Sequence, residues 1–241
     1  MKILVINGSP RGKRSNTLKI ASAFVEGAAK TGDGVEILDI ETLGVESCRG
    51  CFSCWGVTPG QCVVHDGMDA LREDVYNKAE LLVWSFPLYV YGLPGKLKCF
   101  IDRLLPNKYP EIYEDERGRP YHPERYDRSR QRHVVVSSCG FFTTEDIYDS
   151  VSALFRLFLQ DKFKETIYCA QGELMNDEGA GPLTGPFLAC VKKAGEEFAA
   201  CGRIGEAARQ RLRTPLLDKG EYMKTCNAHW QESARKRGDI K

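Results

Sequence analysis

Four cysteines, Cys48, Cys51, Cys54 and Cys62, stand three, three and eight residues apart. Three thiols at every third position, and a fourth delivered after the turn at Pro59-Gly60, can fold around one centre. Iron–sulfur cores take such compact all-thiolate sets. Zinc is the rival, although structural zinc sites more often pair two separated Cys-x2-Cys hairpins. A second candidate is Gly8-Ser9-Pro10-Arg11-Gly12-Lys13-Arg14-Ser15-Asn16-Thr17. A loop running from a strand into a helix offers free backbone N–H groups and the positive end of a helix dipole, which together make an anion site. Ser9, Ser15, Asn16 and Thr17 add hydroxyl or amide donors, and Arg11 adds a planar fork suited to phosphate. The bland reading is a polar turn capped by Ser15 or Asn16. The loop fits neither the P-loop nor the dinucleotide glycine pattern. His65, His122, His133 and His229 are scattered and read as structural or solvated, so no catalytic side chain is assigned.

These residues need a frame to hold them. The chain has 241 residues, with 34 Lys and Arg against 33 Asp and Glu, a net charge of +1. That balance argues against a basic nucleic-acid binder and an acidic disordered tail. No apolar run is long enough to span a membrane. The opening Met-Lys-Ile-Leu-Val-Ile-Asn-Gly reads as a strand rather than a signal peptide, so a cytoplasmic location is expected. In a reducing compartment ten cysteines suggest ligands, redox groups or buried small hydrophobes.

Apolar runs predict strands over 2–6, 35–40, 80–86, 133–138 and 163–169. Helical patterning predicts helices over 16–30, 66–78 (Asp66 as N-cap, Asp69 three residues on), 95–104, 145–160 and 182–213, the last broken near Gly202. Alternation of this kind means β-α-β units, a parallel sheet and helices on both of its faces. Residues 48–64 form a Cys-rich loop. The insertion 106–131, rich in Pro, Tyr, Arg and Glu, is too long for an ordinary connection and reads as a functional flap, an oligomer contact or a partly disordered segment. The organisation expected is one domain over 1–213 and a helical tail over 214–241. Residues 207–241 carry nine Lys and Arg against four Asp and Glu, read as a solvated face. Tyr222, Cys226 and Trp230 share a helical stripe that could dock on this domain or on a neighbour.

Gly8-Ser9-Pro10-Arg11 with Ser15-Asn16-Thr17, directly after the first strand, resembles the FMN phosphate loop of the flavodoxin-like NAD(P)H-dependent FMN reductase superfamily. Ser85-Phe86-Pro87-Leu88-Tyr89-Val90-Tyr91-Gly92-Leu93-Pro94, after the third strand, resembles its second flavin loop, with Phe86 replacing a small or polar residue. Leu97-Lys98-Cys99-Phe100-Ile101-Asp102-Arg103 is similar to the helix that follows, where Lys98 and Asp102 read as a surface ion pair. Ser138-Cys139-Gly140-Phe141 matches the third loop. The likeness covers about residues 1–170 and implies a flavodoxin-like three-layer α/β sandwich, with a five-stranded parallel sheet in the order 2-1-3-4-5. It implies an FMN site with Ser9, Arg11, Ser15, Asn16 and Thr17 at the phosphate, and Pro87, Leu88, Tyr89, Val90, Tyr91, Gly92, Cys139 and Gly140 along the ribityl chain and ring. Ligands in open α/β sheets bind at the strands' C-terminal ends, where these loops fall.

The cysteine spacing resembles that of the iron–sulfur flavoprotein branch, which implies a [4Fe–4S] cluster on Cys48, Cys51, Cys54 and Cys62. Other members carry a similar segment without a known cluster, so a metal-free loop with Phe52 and Trp55 near the flavin stays open beside zinc. Asp66-Gly67-Met68 departs slightly from the segment that usually follows. The function expected is an FMN-dependent oxidoreductase. Electrons would pass from NAD(P)H or a ferredoxin-type donor through FMN to a small acceptor, with the cluster as a further route. The alternative is a flavodoxin-type electron carrier without its own substrate, which a net charge of +1 disfavours because flavodoxins are usually strongly acidic. The partners expected are a small-molecule acceptor, no nucleic acid, no membrane, and further copies in a dimer or tetramer. The insertion's Tyr109, Tyr113, Tyr121 and Tyr126, with the tail, are candidates for that contact.

Overall fold

Five short apolar runs build the sheet. In the computed structural model, which describes residues 1–237, these are β1 (Lys2–Asn7), β2 (Gly34–Asp39), β3 (Leu81–Pro87), β6 (Arg132–Ser138) and β7 (Phe163–Cys169). All pair in parallel, in the order β2-β1-β3-β6-β7, which is the order expected. The numbers β4 (Tyr113–Glu114) and β5 (Pro120–Tyr121) fall to an antiparallel hairpin inside the insertion. Central β3 lacks polar alternation because both its faces are covered.

Ile3, Val5, Leu81, Val83, Val134 and Val136 face α1 (Asn16–Ala28) and α5 (Gly181–Cys201). Leu4, Ile6, Leu82, Trp84, Phe86 and Val135 point the other way, toward α3 (Gly95–Asp102) and α4 (Asp149–Leu159). Glycine lets α1 and α5 touch backbone to backbone: a Cβ on Gly27 would lie 1.9 Å from the Lys192 carbonyl oxygen, and one on Gly195 2.1 Å from that of Phe24.

Several boundaries differ from the sequence reading. The helix expected from Asp66 begins as α2 (Met68–Leu71), after Gly67 turns left-handed at φ 82°. It widens at Arg72–Tyr76, where the Asn77 N–H donates five residues back to Arg72, and ends there rather than at 78. The helix expected from 145 starts at Asp149, because Asp146 turns left-handed at φ 62°. Gly202, at φ 72°, does stop the long helix, and α6 (Glu206–Arg213) follows. The insertion makes contacts within itself. Arg125 lies 4.3 Å over the Tyr109 ring, and Tyr109 N–H donates to Pro123 at 2.8 Å. Residues from Leu216 form α7 (Lys219–Arg237). Among the described residues no helix is long and apolar enough to cross a membrane.

Candidate functional site

The C-terminal ends of β1, β3 and β6 open on one cavity of about 630 Å³. That lies within the range of about 300–1,000 Å³ usual for small-molecule sites.

Its first wall is the β1–α1 loop, with Ser9, Arg11, Ser15, Asn16 and Thr17 all lining it. Gly8 is required there, since a Cβ would fall 2.7 Å from Leu97 Cδ2. Asn7 Nδ2 donates to the Gly12 carbonyl, and Ser9 Oγ accepts from the Arg11 N–H. Ser15 is the N-cap of α1, its hydroxyl accepting from Leu18 N–H at 3.1 Å. Capping directs the helix's first turn, whose N–H groups lack intrahelical acceptors, toward the cavity wall. Thr17 and Ser138 share a hydroxyl contact of 2.5 Å across the floor. Arg11 is exposed and Thr17 buried, so charge sits at the mouth and neutral donors deeper.

The second wall is Pro87, Leu88 and Tyr89. Leu88 N–H donates to Ser138 O, and Tyr89 and Gly92 exchange both backbone bonds in a tight turn. Val90 and Tyr91 occupy that turn at φ 47° and 58°. Val90, Tyr91 and Gly92, expected along the ring, do not line the cavity, and Tyr91 stacks on Phe141 at 5.8 Å. Cys139 and Gly140 form the third wall. The Cys139 N–H and carbonyl are both taken, by Cys169 and Gly172. Burial pushes the Cys139 thiol up from its ordinary value.

Sequence reasoning missed the remaining wall. Glu173, Leu174 and Asp177 arrive from the segment after β7, and Tyr222, Thr225, Cys226, His229 and Trp230 from α7. The signal was present in the stripe Tyr222, Cys226, Trp230, which docks on its own domain. Nor are the cysteines outside the 48–62 set all buried small hydrophobes: Cys201 is exposed, and half-buried Cys226 faces the cavity.

The residues present fit FMN. Hydroxyl, amide and guanidinium donors gather at a helix N-terminus, which suits a phosphate dianion. An apolar slot beside Pro87, Leu88 and Tyr89 suits a flat ring.

The other four thiols lie elsewhere. Cys48, Cys51, Cys54 and Cys62 line one small cavity of about 20 Å³ with Phe52, Arg103 and Leu105. Gly50 and Phe52 turn left-handed to bring them round. Cys54 is raised by burial and by the other three thiols, whereas exposed Cys51 is lowered by hydrogen bonds from Ser53. Among the described residues no three His, Cys, Asp or Glu side chains meet closely enough to hold a metal ion. The thiols thus share a wall without forming a closed cage.

Two buried arginines fix that loop. Arg103 donates to both Asp66 oxygens, at 2.6 and 2.8 Å, and to the carbonyls of Glu46 and Val64. Arg72 joins the Gly60 carbonyl to Asn107, at 2.8 Å each. Trp55 packs on His122 of the insertion, ring centres 4.6 Å apart.

Residues 1–156 match the family model described as flavodoxin-like fold. An iron–sulfur flavoprotein of Archaeoglobus fulgidus is 34% identical over 106 residues, 44% of this chain and 46% of that protein. An FMN-dependent NADH:quinone oxidoreductase 2 of Pseudomonas syringae pv. tomato is 30% identical over 112 residues, 42% of this chain and 53% of that one. The chain spans about half the length of the curated relatives it matches. Among solved structures, an FMN-dependent NADH-azoreductase from Bacillus anthracis in complex with FMN is similar at a TM-score of 0.55 and 18% identity, covering 83% of this chain and 97% of that one. An NAD(P)H:quinone oxidoreductase from Methanothermobacter marburgensis gives 0.58 and 16%, over 82% and 96%. At these identities the structural likeness is one of fold.

Proposed function

Because this chain belongs to the flavodoxin-like fold family, we propose that its main cavity binds FMN and that it is an oxidoreductase. It would take electrons from NAD(P)H to a small organic acceptor such as a quinone or azo compound. The observation that carries this reading is the convergence of the loops after β1, β3 and β6 on one cavity with phosphate-type donors at one end. The name of the FMN-dependent NADH:quinone oxidoreductase relative supports the substrate class. Bound there, FMN would supply the redox chemistry.

The chain's own part is binding and orientation. Ser9, Arg11, Ser15, Asn16, Thr17 and the first turn of α1 would hold the phosphate. Pro87, Leu88, Tyr89 and Gly140 would hold the ring. Val90, Tyr91 and Gly92 act by shaping the turn beside it. Little proton relay is needed, since such transfers depend on positioning. We assign Cys48, Cys51, Cys54 and Cys62 as ligands of a [4Fe–4S] cluster, a group that would supply one-electron chemistry. All four donors are thiols on one cavity wall, and the name of the iron–sulfur flavoprotein relative supports a cluster of that kind.

The test is NADH and NADPH oxidation by anaerobically purified protein with a quinone or an azo dye as acceptor, alongside iron and sulfide analysis. FMN-dependent turnover is expected. A flavodoxin-type carrier would show flavin but no turnover. Iron and sulfide should both be present and fall in Cys54→Ser; absence of both in the wild type removes the cluster.

A further inference from the structure

We propose that α7 is a built-in cover over the FMN cavity, latched by Tyr222 as a positioning residue, so that cofactor escape waits on that latch. The inference rests on the FMN reading above.

Among the described side chains of α7, Tyr222 alone is buried. A long helix that buries one side chain has little apolar packing to hold it, and such elements open at low cost. Its attachment comes from three specific tethers instead. Gln171, fully buried at φ 57°, clasps the Leu217 backbone both ways: its Nε2 donates to the carbonyl at 3.0 Å, and its Oε1 accepts from the N–H at 2.8 Å. The Lys219 ammonium sits 4.5 Å over the Phe142 ring. Tyr222, with one proton to donate, has two acceptors in reach, the Gly140 carbonyl at 2.9 Å and the Glu173 carboxylate.

All three tethers land on the loops after β6 and β7. Those loops also supply Gly140 and Glu173 to the cavity wall, so the helix is tied to what it covers. Gln171 fixes the root at Leu217, and Tyr222 is the outermost of the three. Beyond it, exposed Thr225, His229 and Trp230 and half-buried Cys226 line the cavity. Releasing the Tyr222 hydroxyl leaves the helix beyond Lys219 without a tether, free to swing away and uncover that side.

The test compares full-length wild type with Tyr222→Phe, each loaded with FMN, by recovery of flavin fluorescence after dilution. Phenylalanine keeps the buried ring and removes only the hydroxyl. Tyr222→Phe should release FMN about tenfold faster, as loss of a hydrogen bond to a charged acceptor implies. Its FMN-free melting temperature should stay unchanged, which a merely structural role would not allow. Met223→Ala, on the exposed side of α7, should release FMN at the wild-type rate. Should Tyr222→Phe fail to fold, limited proteolysis of the wild type decides instead: FMN should protect the 214–218 segment from cleavage. Normal binding with unchanged release in Tyr222→Phe, or cleavage indifferent to FMN, overturns the cover alone. Absence of FMN binding by the wild type overturns the cofactor reading and the cover with it.

Discussion

Arg103 closes a helix on which Lys98 and Asp102 read, from their spacing, as a surface ion pair. Lys98 and Asp102 do form that exposed pair, at 2.6 Å. Arg103, one residue on, is 1% exposed and grips Asp66, whose side chain is 9% exposed. Burial alone would raise the Asp66 carboxyl, but the Arg103 hydrogen bonds and the Glu46 and Met68 N–H groups hold it down to about 2. The ionised carboxylate therefore contributes stability above about pH 4, its unfolded value, and that contribution is lost as pH falls toward 2. Asp66→Asn leaves a buried guanidinium without its counter-charge and should cost about 3–5 kcal/mol in urea unfolding at pH 7. It should also flatten the acid limb between pH 4 and 2. A variant as stable as wild type would contradict the pairing. His133 behaves in the opposite chemical sense. It is fully buried, its Nδ1 accepts from Trp84 Nε1 at 3.0 Å, and burial lowers it far below the ordinary value. Below about pH 6.5 only the unfolded chain takes up that proton, so stability should fall by up to about 1.4 kcal/mol per pH unit. His133→Gln retains an acceptor for Trp84 and should lessen that slope; an unaltered slope would exclude His133 as its source.

Elements were legible where their pattern is local. The central strands are apolar runs closed by a turn signal, and β7, which alternates instead, falls on the residues expected, 163–169. The Gly202 break was legible because only glycine readily takes that left-handed stop. The start of α4 was not, because a left-handed Asp146 overrides a run with good helical periodicity. Glycines 27 and 195 read as ordinary helix residues, although they set how near α1 and α5 approach. Gly195→Ala must push α1 away from α5, and the urea midpoint should fall by an amount worth about 1–3 kcal/mol. An unchanged midpoint would mean that the two backbones do not meet there. The roles of α7 were hidden for a different reason. The stripe Tyr222, Cys226, Trp230 announces a docking face, but Gly140 lies 82 residues away and Glu173 49, and periodicity carries no information about such pairs.

At the scale of the molecule, a parallel sheet leaves polar loops at the C-terminal ends of its strands, and the crossovers place those loops together. That topology explains why three short segments, far apart in sequence, share one cavity. The phosphate loop was readable because its donors are contiguous, whereas the wall supplied by the segment after β7 and by α7 required the closed fold. The four thiols were readable as a set, but the two buried arginines that anchor their loop were not. The account stands on the main cavity being an FMN site with its phosphate at the start of α1. Titrating FMN into the cofactor-free chain, followed by flavin fluorescence, tests this most directly. Saturation at one FMN per chain is predicted, with affinity about tenfold weaker or more in Arg11→Ala/Ser15→Ala, which lose a charge-assisted donor and a helix cap. Absence of saturable binding, or equal affinity in that variant, would contradict it.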